Sequence, residues 1–217
     1  MTTFPLSPKL LKGGLVLVNP ASGVAQRIIV LQYNPETISR TLQAQTVGEN
    51  GDRAQAFRLI GPPQESYKLE AVIDAADQME FPDANQTVRE NGILPQLAVV
   101  EKILYPESSR LIANNNLAGS GTLEIIPAEG PLTLFVWSKN RVMPVRLTEF
   151  SVTEEAFDPN LNPIRAKVSL GLRVLNINDL GFDHRGGNLY MAYHQRIEQL
   201  ATLSKSGVLG QLGITGI

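Results

Sequence analysis

Cysteine is absent from this chain of 217 residues, and histidine occurs only twice, at His184 and His194. Without cysteine there can be no disulfide, thiolate nucleophile, iron–sulfur cluster or cysteine-ligated zinc. With only two histidines, a histidine-based metal centre or acid–base pair is not favoured. The composition therefore argues against an enzyme, and we expect no catalytic, cofactor-binding or metal-binding residues.

An excess of charge of one sign is also missing, and so are long apolar runs. The 19 Lys and Arg residues nearly balance the 21 Asp and Glu residues, so the chain lacks the excess of basic residues that is typical of nucleic-acid binding. The apolar stretch Leu97–Leu104 is interrupted by Glu101 and Lys102 and is far shorter than the ~20 residues that cross a bilayer. The first residues lack the order of a secretory signal. We expect cytoplasmic assembly, without direct membrane insertion.

Alternating apolar and polar residues are the strongest pattern that is present. Ile164–Val174 alternates over its whole length, and Tyr67–Asp74 places Tyr67, Leu69 and Ala71 on one face. A period of two is typical of strands with one buried and one solvated face. Further strands are predicted at Gly14–Val18, Arg27–Gln32, Thr41–Val47, Thr122–Pro127, Leu132–Ser138 and Met143–Glu154.

Two segments have helical spacing instead. Pro95 opens one, which ends before Pro106, and Asn188–Ser204 forms the other. The segments Glu49–Arg53, Ser108–Gly121 and Asp158–Pro163 are rich in turn residues and are predicted to be loops. The predicted fold is mainly β (α+β), an antiparallel sandwich or barrel with one inserted helix and a C-terminal helix. It occupies residues 1–205, and residues 206–217 are expected to be a flexible, glycine-rich tail.

Two clusters have residue types that occur in chemical sites. The carboxylates of Asp74, Asp77, Glu80 and Asp83 could bind calcium, but their spacing is not that of an EF-hand, and a solvated loop is favoured. Asp183–His184 could be half of an acid–base pair, but no nucleophile motif accompanies it. A soluble β-rich hydrolase or carbohydrate-binding module is therefore the least favoured function.

Four stretches carry a family resemblance. Leu31–Arg40 resembles the Phe-Gln-Tyr-Asn-Pro signature that opens proteins of the contractile injection system tube family. Tyr67–Ala75, Val88–Leu97 continuing to Pro106, and Val174–Leu180 resemble the same family in the same order. The resemblance as a whole covers roughly residues 14–205. Many relatives carry a LysM domain, and we expect none here.

The resemblance implies a structural role in a phage-tail-like particle. It implies a tail-tube-like subunit of a homo-hexameric ring in the baseplate, which connects the spike hub to the inner tube and initiates tube assembly. Partners would be the inner tube protein, the spike or hub protein and other baseplate proteins. The particle could be released from the cell. The alternative within the same particle is the repeating inner-tube protein, and copy number would separate the two positions.

Six residues are expected to serve assembly. Tyr33, Asn34 and Pro35 should form the turn after the second strand, where Asn tolerates unusual backbone angles and Pro restricts φ. Arg165, Lys167 and Arg173 share the polar face of one strand and could line a channel or a subunit junction. An ordinary turn and a solvated outer face are the competing interpretations.

Overall fold

The computed structural model describes residues 10–46, 58–119 and 130–214. Seven strands form one antiparallel sheet in the order β2-β1-β5-β6-β7-β4-β3. The strands are β1 Gly14–Val18, β2 Ala25–Val30, β3 Ile38–Thr46, β4 Leu59–Asp74, β5 Leu132–Ser138, β6 Arg141–Phe157 and β7 Pro163–Val174. The helices are α1 Ala76–Met79, α2 Gln86–Asn91, α3 Leu94–Glu101, α4 Ser108–Gly119, α5 Ile177–Leu180 and α6 Arg185–Thr202, with a final 3₁₀ turn at Leu209–Leu212. The mainly β, α+β prediction is confirmed.

The sheet folds back on itself along β6. The first residues of β6 pair with β5 and the later ones with β7, and Val145 pairs with both neighbours. Leu31 N donates to Gly13 O beside β1, while the adjacent Gln32 bonds to the backbone of Asp74 at the end of β4. In a flat sheet three strands would separate β1 from β4, a distance of roughly 19 Å that one Gln side chain cannot span. The two halves therefore face each other, as in the expected sandwich.

The core lies between these two halves. Phe135 of β5 and Tyr67 of β4 meet with ring centroids 5.6 Å apart, and both side chains are fully buried. Helices α3 and α6 contribute to the same cluster through Leu97 and Tyr190. The residues that alternate with the core positions are exposed on β4 at Ser66, Lys68 and Glu70, and on β7 at Arg165 and Lys167, which matches the alternation in the sequence.

One prediction in the inserted segment is wrong. Ser108–Gly119, expected to be part of a polar loop, forms the helix α4. The three consecutive asparagines suggested a loop, but the segment contains no proline and its only glycine is at its end, so nothing prevents helix formation. The helices α1 and α2 were not predicted because each is too short for a periodic pattern, and only Val88 of α2 is buried.

The other predicted helices, strands and loops are confirmed or lie outside the described residues. The helices predicted after Pro95 and in Asn188–Ser204 are α3 and α6, and the hairpin loop lies between β6 and β7. The predicted turn at Glu49–Arg53 and the predicted strand at Thr122–Pro127 lie outside the described residues. The boundary between a domain and a flexible tail at residue 206 stays a prediction.

Candidate assembly surfaces

The connector between β2 and β3, residues 31–37, is held by two side-chain amides that form the hydrogen bonds a neighbouring backbone would form. Gln32 Nε2 donates to Asp74 O at 2.6 Å, and Gln32 Oε1 accepts from Asp74 N at 2.8 Å. Asn34 Nδ2 donates to Leu11 O at 2.8 Å, and Asn34 Oδ1 accepts from Gly13 N at 2.9 Å. Each amide thus satisfies one backbone donor and one backbone acceptor that no strand pairs. Asn34 and Gln32 together tie the connector to both halves of the sandwich.

Tyr33 and Pro35, the two neighbours of Asn34 in the chain, differ in their exposure to solvent. Tyr33 is about half exposed, whereas Pro35 is partly buried. Sequence reasoning named Asn34 but missed Gln32. The chain bends at Gln32 and Tyr33, so the alternation of an extended strand gave no signal for Gln32.

The predicted basic residues of β7 lie on one face, but they are not an uncompensated basic patch. Arg165 Nε lies 3.3 Å from a carboxylate oxygen of Glu155, and Lys167 Nζ lies 2.6 Å from the other oxygen of the same carboxylate. Arg165 also lies 3.7 Å from Asp74, and Arg173 lies 2.6 Å from Asp179 near the far end of the strand. Hydrogen bonding to Lys167 lowers the pKa of Glu155, with the charges of Lys167 and Arg165 adding to the effect. The structure places the three cations at two sites, each neutralised within the chain.

Two strands leave free edges. Strands β2 and β3 are the first and last of the sheet order, and within the described residues each pairs on one side only. On β2, Ile28 and Val30 share a face, and their side chains are 64% and 56% exposed. Unpaired N–H and C=O groups beside exposed apolar side chains make an edge that favours pairing with another chain. We call β2 and β3 the edge strands.

The edge strand β3 is joined to the core by a buried polar cluster. Arg40 Nε donates to Glu65 Oε1 at 2.5 Å, and Tyr193 Oη of α6 donates to the same oxygen at 2.8 Å. The Glu65 side chain is only 4% exposed, while that of Arg40 is 31% exposed. Burial, followed by the hydrogen bonds of Tyr67 and Glu65, raises the pKa of Tyr193, so its hydroxyl stays a donor. The position of β3 therefore depends on a charge pair that the core encloses.

The other candidate residues have local structural roles. His184 caps α6, because its Nδ1 accepts from Gly186 N at 3.1 Å, as expected of a histidine before a helix. Asp74 contacts Arg165, and Asp83 contacts Arg89 at 3.7 Å. Across residues 10–46, 58–119 and 130–214, no three metal-ligating side chains of His, Asp or Glu converge. In the same part of the chain, no helix is both long and apolar enough for a membrane span.

One cleft of about 570 Å³ lies beyond the end of β7. Its apolar lining includes Leu104, Leu147, Leu175 and Leu180, and its polar lining includes Arg146, Asp179 and His184. Asp179 is already engaged by Arg173, and His184 by the first turn of α6. The cleft is therefore an apolar depression with few polar groups rather than a set of converging catalytic residues.

Comparisons with known proteins give distant likenesses only. No protein-family model matches the chain, and no curated protein matches it. A chain from the tail of an empty gene transfer agent particle with C6 symmetry is 13% identical, with a TM-score of 0.28, covering 75% of this chain and 90% of that one. A chain from the virion of the native gene transfer agent particle is 10% identical, with a TM-score of 0.25 and the same coverages. Similarities this low carry no argument about fold or function.

Proposed function

We propose that this chain is a structural, non-enzymatic subunit of a phage-tail-like contractile particle, in which copies join side by side into a ring. The observation that carries the proposal is the sheet with two edge strands. A strand edge leaves every second backbone N–H and C=O without a partner in its own chain, and pairing with a neighbouring copy satisfies them. The exposed Ile28 and Val30 on β2 add apolar surface for the same contact.

The order of the sheet constrains how such a ring closes. Seven antiparallel strands place β2 and β3, at opposite ends of the order, in the same direction. A contact between β2 of one copy and β3 of the next uses two different surfaces, so it is heterologous and continues around a closed ring. The resemblance of Leu31–Arg40 to the tube-family signature supports six copies. The amides of Gln32 and Asn34 within that signature would hold both edge strands in register for pairing.

The position of the ring within the particle has two candidates. The resemblance favours a hexamer at the junction between the spike hub and the inner tube, assembled in the cytoplasm with other baseplate proteins. The repeating inner tube is the second candidate, and the exposed hairpin loop and the cleft at opposite ends of β7 favour it. An adaptor would be present at six copies per particle and a tube protein at many more.

Mass photometry and negative-stain electron microscopy of the purified chain test the ring. We expect a closed assembly of six chains of 23.7 kDa each, with a central pore. Variants Ile28→Lys and Val30→Lys should reduce ring formation and leave the monomer folded, because both side chains are exposed. Leu203→Lys, at the C-terminal end of α6 and 77% exposed, is the control. A chain that stays monomeric at every concentration, both alone and with isolated particles, contradicts the proposal.

A further inference from the structure

The hairpin loop between β6 and β7 has a leucine where its backbone favours glycine. Asp158 N donates to Asn162 O at 2.9 Å, and Leu161 N donates to Asp158 O at 3.0 Å, which closes a three-residue loop. Loops of this kind combine a type I turn with a residue in the left-handed region, usually glycine. Here that residue is Leu161, with φ +66°, the only described non-glycine residue with positive φ. The left-handed conformation is less favourable for a leucine than for a glycine, so Leu161 strains the backbone of the loop.

The loop is held by several hydrogen bonds although its leucine is exposed. The Asp158 carboxylate accepts from the backbone N–H groups of Asn160 and Asn162, each at 2.8 Å, and from the Asn162 side chain at 2.9 Å. Asn162 Nδ2 also donates to Glu90 O at 3.1 Å, which fastens the loop to α2. The Leu161 side chain is nevertheless 79% exposed, so it contributes little to the core. A strained backbone that serves no packing inside its own chain points to a contact outside it.

A complementary depression lies at the other end of the same strand. Pro163 begins β7 directly after the loop, and Leu175, which follows the last residue of β7, lines the cleft of about 570 Å³. Twelve residues of strand separate them, a distance of roughly 35–40 Å. One end of the molecule thus displays an apolar side chain, and the other end has an apolar cleft. The cleft is large enough for one leucine side chain and the residues beside it.

We propose that the cleft binds the β6–β7 hairpin loop of a second copy of this chain, with Leu161 entering between Leu104 and Leu180. Arg146, which also lines the cleft, supplies a polar group that can bind Asn160 beside the leucine. The contact joins unlike surfaces at opposite ends of the strands, so it repeats without closing and stacks copies along the strand direction. This inference rests on the proposed function, since stacking is what extends a ring into a tube. Stacking through this contact favours the repeating inner-tube protein over the adaptor.

Two substitutions at residue 161 separate a stacking role from a folding role. Leu161→Gly relieves the backbone strain and removes the side chain, so the monomer should melt at the same or a higher temperature, while stacking is lost. Leu161→Asn, compatible with the left-handed region, should lower the stacked fraction at least about tenfold, the equilibrium effect of one exposed leucine becoming buried. Leu203→Asn is the matched control, because that leucine is 77% exposed. Sedimentation velocity and electron microscopy measure the stacked fraction.

A mixing experiment tests the pairing of loop and cleft. Leu104→Asp places a charge in the cleft at a side chain that is 47% exposed, so the variant should fold but not stack alone. Rings of this variant keep the loop, and rings of Leu161→Asn keep the cleft. When rings of the two variants are mixed, they should join in pairs, and stacks of more than two rings should not form. Rings that form but never stack in the wild type, or stacks that persist in Leu161→Asn, overturn the stacking inference only. Absence of rings from the wild type contradicts the proposed function itself.

Discussion

Lys68 of β4 and Glu149 of β6 form an ion pair across the strand that separates them. Their nitrogen and oxygen lie 3.1 Å apart, directly over Gly171 of β7, whose register partners are these two residues. A Cβ atom at position 171 would lie 2.8 Å from the Cβ of Glu149 and 3.2 Å from the Thr148 hydroxyl. The glycine therefore allows the two side chains to meet above the backbone of the central strand.

Gly171→Ala should destabilise the chain by about 1–3 kcal/mol, because the added methyl group displaces Glu149. Lys68→Ala should cost only about 0.2–1 kcal/mol, since both partners of that ion pair are largely exposed. The close contact of position 171 with Glu149 and Thr148, rather than the charge pair, is thus expected to dominate. Urea unfolding of both variants measures the difference, with Ser169→Ala on the same face as control. Equal losses for Gly171→Ala and Lys68→Ala would contradict this order.

Gln32→Glu and Asn34→Asp should each destabilise the chain by about 1–3 kcal/mol at neutral pH. Each exchange replaces an amide donor by a carboxylate oxygen facing a backbone carbonyl, of Asp74 and Leu11 respectively. Tyr33→Ala, between them, should change the free energy of unfolding by less than about 0.5 kcal/mol, because the side chain is half exposed. Chemical denaturation of the three variants provides the measurement. A larger loss at Tyr33 than at its neighbours would show that the amide contacts are not what holds the connector.

Arg40→Met should destabilise the chain by about 2 kcal/mol, because it leaves the Glu65 carboxylate buried without its cation. The value is below the range of about 3–5 kcal/mol for fully buried pairs, since solvent reaches part of Arg40. The double variant Arg40→Met, Glu65→Leu should recover most of the loss. A thermodynamic cycle that includes Glu65→Leu alone quantifies the coupling. If the double variant is as unstable as the sum of the two single changes, the cluster does not act as a unit.

The predictable part of this molecule is the part with simple periodicity. The alternation in Ile164–Val174 and Tyr67–Asp74 located the two strands at the centre of one layer, and the apolar stripe located α6. The folding of the sheet along β6 was not predictable, since β6 alternates like one uninterrupted strand and only tertiary contacts show where its partner changes. The ion pairs of Arg165 and Lys167 with Glu155 were not predictable either. Glu155 lies at a bulge of β6, and the position of that bulge does not follow from the local sequence.

Acid should destabilise the chain through Glu155 and Asp158. The pKa of Glu155 is lowered mainly by its hydrogen bond with Lys167, and that of Asp158 mainly by the Asn162 side chain. Because the folded-state pKa values lie below those of the unfolded chain, the native state binds fewer protons in acid. The stabilisation is complete above the ordinary values of 4.5 and 3.8 and is lost as pH falls below them. Glu155→Gln should therefore lower Tm most at neutral pH, with the deficit shrinking as pH falls. A deficit independent of pH between 7 and 3 would contradict this assignment.

Exchanging the charges of Glu155 and Lys167 tests whether this face contacts a neighbouring copy. Reversing Lys167 alone would place two carboxylates together within one chain, so a failure to assemble would be ambiguous. The double variant Glu155→Lys, Lys167→Glu keeps an opposite-charge pair between these two positions. Arg165 loses the carboxylate of Glu155 but keeps that of Asp74. The charges that a neighbouring copy would contact at positions 155 and 167 are reversed. We expect a Tm somewhat below that of the wild type, because Arg165 then meets a like charge at position 155. We also expect at least a tenfold loss of ring formation, because like charges across an interface cost several kcal/mol. The same exchange at Asp83 and Arg89, an exposed pair, is the control. Rings that form normally from the exchanged variant would assign Arg165 and Lys167 to a solvated outer face.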